Sequence, residues 1–299
     1  AVSLDKNLFL ANGSYAWSDF PSFLKAYDNV SSCLRSGKDY ADITYEYLKD
    51  CAKDNVVYAE TFISPDHAAE CGISYDDMIS GITNGINDAE RDFGIIGRII
   101  VTCVRHLGPK QGFNVVQTMV QNPHPYVVGF GMGGDENAYT LEEFAEVYKI
   151  AEKAGYSCTV HAGEICGPES VWDAINYLPV SRIGHGVNCI KDEKLMNKLV
   201  EQNIHLEICP GSNLSLSIFS DWDTHPLPSI MEKGISISLN SDDPPFFNTT
   251  VGQEYYDSAK HFNLDIEKLK QISLMAMEAS FADSEIKSRL LEEIQKFNS

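Results

Sequence analysis

Apolar residues along the chain are grouped in seven short runs that are rich in β-branched and aromatic residues. Runs of this length and composition, bounded by turn residues, predict buried β-strands. The predicted strands cover residues 55–63, 95–104, 126–130, 156–160, 182–187, 204–209 and 235–239.

Segments with helical periodicity separate these strands. They cover residues 75–93, 110–121, 141–155, 168–178, 192–202 and 225–234. Alternation of strand and helix predicts a parallel sheet, either open and doubly wound or closed as an eight-stranded barrel. Five strands end in reactive or Gly-rich residues, which favours a barrel because its site is built from many strand ends. We therefore predict an α/β fold, a TIM-type β/α barrel.

The first 54 residues read as helices, at 18–36 and 39–54, with no strand ahead of them. An eight-stranded barrel needs one more strand, so we expect its first strand to be missing from this chain. Residues 264–297 read as two further helices, and no linker or repeat marks a second domain. We predict one barrel domain over residues 1–299, with a helical region at 1–54 and C-terminal helices at 264–299.

The chain carries 23 Lys and Arg against 43 Asp and Glu, a net charge of −20 with His neutral. This charge would repel a phosphate backbone, so we expect a small-molecule partner and no nucleic acid. The eight cysteines include no Cys-x-x-Cys pair, which fits a reducing cytoplasm. No apolar stretch approaches the roughly 20 residues of a membrane span, so no membrane partner is expected.

Two histidines follow predicted strands and are candidates for chemistry. His161 closes the fourth strand in His161-Ala-Gly-Glu164, where its ring nitrogen can bind zinc and Glu164 can give a proton to a bound ring. His185 lies between Gly184 and Gly186, which leave its imidazole uncrowded. Its pKa near neutrality suits a group that takes a proton from an activated water. Taken alone, His161 is more readily interpreted as a structural histidine that is hydrogen-bonded near a strand end, and His185 can equally be a packed histidine held by a backbone carbonyl.

Two adjacent carboxylates, Asp242 and Asp243, follow the last predicted strand and precede two prolines. Neighbours on an extended segment point in opposite directions, so one can bind a metal while the other faces a substrate. The Gly-rich segment 129–136 has the wrong spacing for a dinucleotide loop, so we interpret it as a loop that presents backbone amides, including that of Gly134, to a ligand.

One early helix has an apolar face formed by Phe20, Phe23, Leu24 and Tyr27, at positions i, i+3, i+4 and i+7. Such a face packs on a barrel rim or forms a lid over the mouth.

Four segments together resemble adenosine deaminase, a zinc hydrolase of purine metabolism with a β/α-barrel fold. They are His161-Ala-Gly-Glu164, Arg182-Ile-Gly-His185-Gly-Val187, Cys209-Pro-Gly-Ser-Asn213 and Ser238-Leu-Asn-Ser-Asp242-Asp243-Pro. The resemblance extends over nearly the whole chain, and the four segments occur in the order found in that family.

The resemblance implies a role for each matching residue. His161 and Asp242 would ligate zinc, and Glu164 would protonate the purine ring at N1. His185 would act as base and orient the water, and Asp243 with the Gly134 amide would recognise the purine. The apolar helix face, Phe20 to Tyr27, matches the family's hydrophobic lid. The implied reaction is deamination of adenosine, and of deoxyadenosine, to inosine and ammonia.

The chain departs from the family pattern at two places. The family carries a zinc-binding His-x-His pair on its first strand, and no histidine precedes Asn55 here. Gly131 stands where relatives often have an acid. Because two protein ligands are fewer than zinc sites normally use, we expect this chain to bind zinc weakly and turn over slowly.

Two other functions remain open. Adenine or another aminopurine is an alternative substrate, although Gly184 and the Pro210-Gly-Ser-Asn213 segment look more like the nucleoside enzyme. A non-catalytic barrel that binds nucleosides is the other alternative. Nucleic-acid base deaminases use His-x-Glu with Pro-Cys-x-x-Cys, and the chain contains neither motif.

Overall fold

The computed structural model describes residues 8–11 and 13–297. Within these residues seven parallel strands pair in the order of the sequence. The strands are β1 (Tyr58–Ile63), β2 (Ile96–Val104), β3 (Val127–Gly133), β4 (Ser157–Ala162), β5 (Arg182–His185), β6 (His205–Ile208) and β7 (Ser236–Leu239).

The sheet is strongly curled. In a flat sheet β1 and β5 would lie about 19 Å apart, because neighbouring strands are about 4.8 Å apart. Arg182 of β5 nevertheless reaches Glu60 of β1, with 2.6 Å between Nη1 and Oε2. This contact across the interior confirms the predicted TIM-type barrel architecture. The additional strand expected before the helical N-terminal region stays a prediction.

Fourteen α-helices surround the sheet in the described part of the chain. They are α1 (Phe20–Ser31), α2 (Gly37–Lys53), α3 (Pro65–Glu70), α4 (Tyr75–Phe93), α5 (Pro109–Gln121), α6 (Ala145–Lys153), α7 (Pro168–Tyr177), α8 (Glu193–Glu201), α9 (Pro210–Ser215), α10 (Leu227–Glu232), α11 (Pro244–Phe247), α12 (Val251–Phe262), α13 (Ile266–Ala279) and α14 (Ser284–Lys296). Every predicted helix is present, whereas α3, α9, α11 and α12 were not predicted. None of the described helices is long and apolar enough to cross a membrane.

Local signals explain why α4 coincides with its predicted range. Ser74 caps the first turn by accepting a hydrogen bond from the Asp77 amide, and Asp76 and Asp77 place negative charge at that end. Gly94 ends the helix with a φ of 77°, a left-handed conformation that suits glycine.

The interpretation of segment 129–136 as a loop is wrong for its first half, because β3 continues to Gly133 and pairs with β2. The glycines serve packing. A Cβ on Gly129 would lie 2.6 Å from the Phe281 ring, and one on Gly131 would lie 3.0 Å from the Phe62 ring. Small residues on this strand therefore make room for two aromatic side chains.

The C-terminal helices extend from the edge strand β7 to the beginning of β2. Helix α13 packs against β7. A small apolar cluster of Ile96, Met277 and Leu290 joins α13 and α14 to the beginning of β2. Residues 1–7, 12, 298 and 299 of the predicted terminal regions lie outside the described residues.

Candidate active site

Four titratable side chains meet at the carboxyl ends of the strands. His161 is the penultimate residue of β4 and His185 the last of β5, and their ring centroids are 5.1 Å apart. Glu164 follows β4, with its Oε1 atom 3.5 Å from His185 Nδ1. Asp242 follows β7, with its Oδ2 atom 3.8 Å from His185 Nε2. Residues far apart in sequence therefore surround one point at the barrel mouth.

Sharp backbone turns aim two of these side chains. His185 has a φ of 59° and Asp242 a φ of 54°, both in the left-handed region that non-glycine residues rarely occupy. The expectation that Asp242 and Asp243 lie on an extended segment is therefore wrong. The chain turns at Asp242, and the two carboxyl groups interact with each other instead of pointing apart.

The Glu164 carboxyl group is in an unusual environment. The residue is only 4% exposed, and its Oε1 atom has no hydrogen-bond partner among the described residues. Burial, followed by the negative charge of Asp242, raises its pKa well above the ordinary value. Glu164 therefore retains a proton at a pH where an exposed glutamate has lost it, as a general acid requires.

A second buried glutamate, Glu136, fixes the loop that carries Glu164. Its Oε2 atom accepts hydrogen bonds from the backbone amides of Glu164, Ile165 and Cys166, at 3.2, 2.7 and 2.8 Å. From the other side, Asn188 Nδ2 donates to the Glu164 carbonyl at 2.7 Å. The sequence analysis assigned no role to Glu136 or Asn188. The available signal was an acid two residues after Gly134, at the same end of the barrel.

Asp243 and Gly134 lie beside this cluster. Burial, and then the charge and hydrogen bonding of Asp242, raise the pKa of Asp243 well above its ordinary value. Gly134 has a φ of 98°, and a Cβ there would lie 2.9 Å from His106 Nδ1. Its position therefore requires glycine, and its backbone directly follows Gly133, the last residue of β3.

The apolar face of α1 packs against α11, the short helix after Asp243. The Phe23 ring lies 5.6 and 5.1 Å from the rings of Phe246 and Phe247, and Trp17 Nε1 donates to the Phe246 carbonyl at 3.2 Å. The other members of the face are half-buried: Phe20, Leu24 and Tyr27. Burial and then the charge of Asp243 raise the pKa of Tyr27, so this side chain of α1 lies near the Asp243 carboxyl group.

The donor atoms in the mouth fit a metal ion. One ligand atom each from His185, Cys209 and Asp242 lies within 4.8 Å of the others. His161 Nδ1 is buried without a hydrogen-bond partner in the described part of the chain. Imidazole nitrogen, carboxylate oxygen and thiolate sulfur are the donors that zinc uses in proteins.

A curled parallel sheet with a buried acid, two imidazoles and a carboxylate at its C-terminal end defines the class of β/α-barrel hydrolases. The particular group follows from the sequence. The chain belongs to the adenosine deaminase family, which it matches over residues 10–297.

Relatives with similar sequences carry the name adenine deaminase. The protein from Agrobacterium fabrum is 41% identical over 288 residues, which are 96% of this chain and 89% of the relative. The protein from Sinorhizobium fredii is 38% identical over 97% of this chain and 89% of its own length.

Solved structures agree with this assignment. Adenine deaminase from Arthrobacter aurescens superposes with a TM-score of 0.89 at 27% identity, over 94% of this chain and 85% of that one. An amidohydrolase from Burkholderia ambifaria, solved with bound Zn, has a TM-score of 0.86 at 29% identity, over 91% of this chain and 76% of that one.

Proposed function

We propose that this protein is a zinc-dependent adenine deaminase, which converts adenine and water to hypoxanthine and ammonia. The observation that carries the proposal is the buried Glu164 carboxyl group, held beside His185 and Asp242 at the mouth of a deaminase-family barrel. A protonated acid next to a metal-type donor set is what hydrolytic removal of a ring amino group needs.

Each side chain has a distinct part in this proposal. His161, whose Nδ1 atom is buried without a hydrogen-bond partner among the described residues, and Asp242 would hold the zinc ion, and His185 and Cys209 lie close to Asp242. A bound zinc ion supplies a hydroxide nucleophile at neutral pH. Glu164 would give its proton to the ring nitrogen N1 as water adds to C6, and the proton that the water loses would replace it. The bond from C6 to the amino nitrogen then breaks while the proton of the new C6 hydroxyl group passes to that nitrogen, so that ammonia leaves and the C6 carbonyl of hypoxanthine forms. His185 orients the attacking water.

The purine ring is held by groups that surround this point. Asp243, whose raised pKa favours the protonated carboxyl group, and the Gly134 amide offer hydrogen bonds to the edge of the ring. The lid residues Phe23 and Tyr27 pack against α11 and exclude water from above.

Adenine replaces adenosine, the substrate expected from the family resemblance. The most direct support is that the relatives at 41% and 38% identity are adenine deaminases.

The test is an ammonia-release assay with adenine and adenosine, together with the zinc content of the same preparation. We expect kcat/KM to be at least about tenfold higher for adenine, corresponding to roughly 1.4 kcal/mol of discrimination. A preference for adenosine would instead support adenosine as the substrate. Binding of either compound without ammonia release, in protein loaded with zinc, would identify a non-catalytic barrel. The zinc measurement also tests the expectation of weak binding, which stays a prediction.

A further inference from the structure

Three buried polar side chains, those of His185, Asn213 and His225, form a hydrogen-bonded chain that leads away from the mouth, and we term this chain the relay. The exposed fractions of His185, Asn213 and His225 are 2%, 0% and 3%. Asn213 Nδ2 lies 3.4 Å from His185 Nδ1, and Asn213 Oδ1 lies 3.3 Å from His225 Nε2. At the far end the backbone amide of Leu227 lies 3.3 Å from His225 Nδ1.

The direction of this chain follows from its far end. A backbone N–H can only donate, so His225 Nδ1 must accept and carries no proton. Burial lowers the pKa of His225 to about 4, so its ring is neutral at physiological pH and its single proton lies on Nε2. That Nε2–H donates to Asn213 Oδ1.

The orientation of the Asn213 amide is then determined. With Oδ1 occupied as an acceptor from His225, the amide directs its Nδ2–H at His185 Nδ1. His185 Nδ1 must therefore accept and carries no proton, so a proton on this ring lies on Nε2. This atom is the one that faces Asp242 Oδ2 at 3.8 Å.

We propose that Asn213 and His225 are positioning residues, which fix His185 as the tautomer with its proton on Nε2. The inference rests on the proposed function for its catalytic consequence, but the tautomer itself follows from the hydrogen bonds alone. In this state His185 presents an N–H to the mouth and orients the attacking water as a donor. The base role expected for His185 from the sequence is therefore replaced by a donor role in the resting enzyme.

The surroundings of the relay are consistent with a fixed ring position. The Phe219 and Phe262 rings contact His225, with centroids 5.1 and 5.8 Å from its own. Glu164 Oε1 is the other polar atom near His185 Nδ1, at 3.5 Å, and it forms no hydrogen bond there among the described residues. Asn213 therefore supplies the hydrogen bond that decides the proton's position.

The tautomer can be measured directly by two-bond 1H–15N correlation spectra of protein labelled with 15N-histidine. His185 is assigned by comparison with His185→Gln. In the unaltered protein we expect the proton on Nε2.

His225→Leu removes the donor to Asn213 and should give a mixture of tautomers. Asn213→Asp replaces the donor by a carboxylate and should move the proton to Nδ1. His205, bonded to the Ser236 and Ser238 hydroxyl groups, is the internal control and should not change.

Kinetics provide the second readout. His225→Leu should lower kcat for adenine by about 10-fold to 100-fold, as outer partners of metal-site residues do, with little change in KM. His225→Gln keeps a donor near the Nε2 position and should recover much of the loss. It also remains informative if the leucine variant does not fold.

Two results would overturn the relay. One is a proton on Nδ1 of His185 in the unaltered protein. The other is a folded His225→Leu variant with an unchanged tautomer and kcat. Since the spectra need no substrate, the expected tautomer without ammonia release would uphold the relay and refute the proposed function.

Discussion

Buried titratable groups at the two ends of the barrel differ in whether they have partners of opposite charge. At the end where strands begin, which we term the floor, Arg182 contacts Glu60 and Glu207 at 2.6 and 2.8 Å and lies over the Phe281 ring. At the mouth, Glu164 has an unpartnered oxygen among the described residues, and no Lys or Arg forms an ion pair with it.

This difference separates the buried groups that stabilise the fold from those that are available for a reaction. A buried charge is tolerated when an opposite charge and hydrogen bonds surround it, as at the floor. A carboxyl group that is left without a cation shifts its pKa upward instead and keeps its proton. We infer that the floor holds the barrel together while the mouth remains available for a substrate and a metal ion.

The largest effect is expected from Glu164→Gln, which removes the buried carboxyl group that we propose as the proton donor. We expect kcat for adenine to fall by about 10²-fold to 10⁴-fold, the usual contribution of general acid catalysis, while zinc content and folding are retained. The measurement is ammonia release together with metal analysis and thermal unfolding.

Glu169→Gln is the matched control for this change, because Glu169 is an exposed glutamate in the first turn of α7, the helix that follows the Glu164 loop. Its activity should remain close to that of the unaltered protein. Near-normal turnover by Glu164→Gln would refute the proton-donor role.

The floor is tested by Arg182→Met, which leaves the buried Glu60 and Glu207 without their cation. The free energy of unfolding should fall by about 3–5 kcal/mol, measured by urea denaturation. Activity per folded molecule should change little, because the floor does not contact the substrate. Arg91→Met, which breaks only exposed ion pairs with Asp88 and Asp92, should leave stability nearly unchanged. A loss of kcat without a loss of stability would contradict the division between floor and mouth.

Acid sensitivity at the floor is expected to depend on His205. Burial, and then the charge of Arg182, lower the pKa of His205 to about 3, whereas unfolded histidine titrates near about 6.5. The unfolded state therefore binds a proton first, so this contribution to stability is complete above pH about 6.5 and is lost as the pH falls toward about 3. In His205→Gln the free energy of unfolding should decline less steeply over this range. An equally steep decline would show that other groups dominate acid unfolding.

The strands were the most predictable part of the fold, because most of them lie in short segments rich in apolar residues, many of which are buried between the helices and the barrel interior. Strand β3 shows the limit of this approach, since Gly131 and Gly133 carry no strand signal. They are extended because β2 pairs with them and because the rings of Phe62 and His161 occupy the space beside them. The short helices α9 and α11 were missed for a similar reason, since each is only one or two turns that begin at a proline.

At the site, the sequence identified residues whose type and position carry chemistry: His161, Glu164, His185, Asp242 and Asp243. It assigned no role to Glu136 or His225, because a buried acid or histidine resembles any other polar residue until its partners are known. Glu136 acts through three backbone amides in a different loop, and His225 acts through Asn213. Contacts of this kind have no signature in a linear pattern.

The sequence by itself determined the alternation of strands and helices, the barrel class, and the residue types available at the strand ends. These depend on local periodicity and on side-chain chemistry, which are properties of short segments. Only the tertiary structure decided which groups are paired and which are left unpaired. Burial and distance set the proton affinity of Glu164 and the hydrogen-bond direction at His185, and both depend on residues brought together from distant parts of the chain.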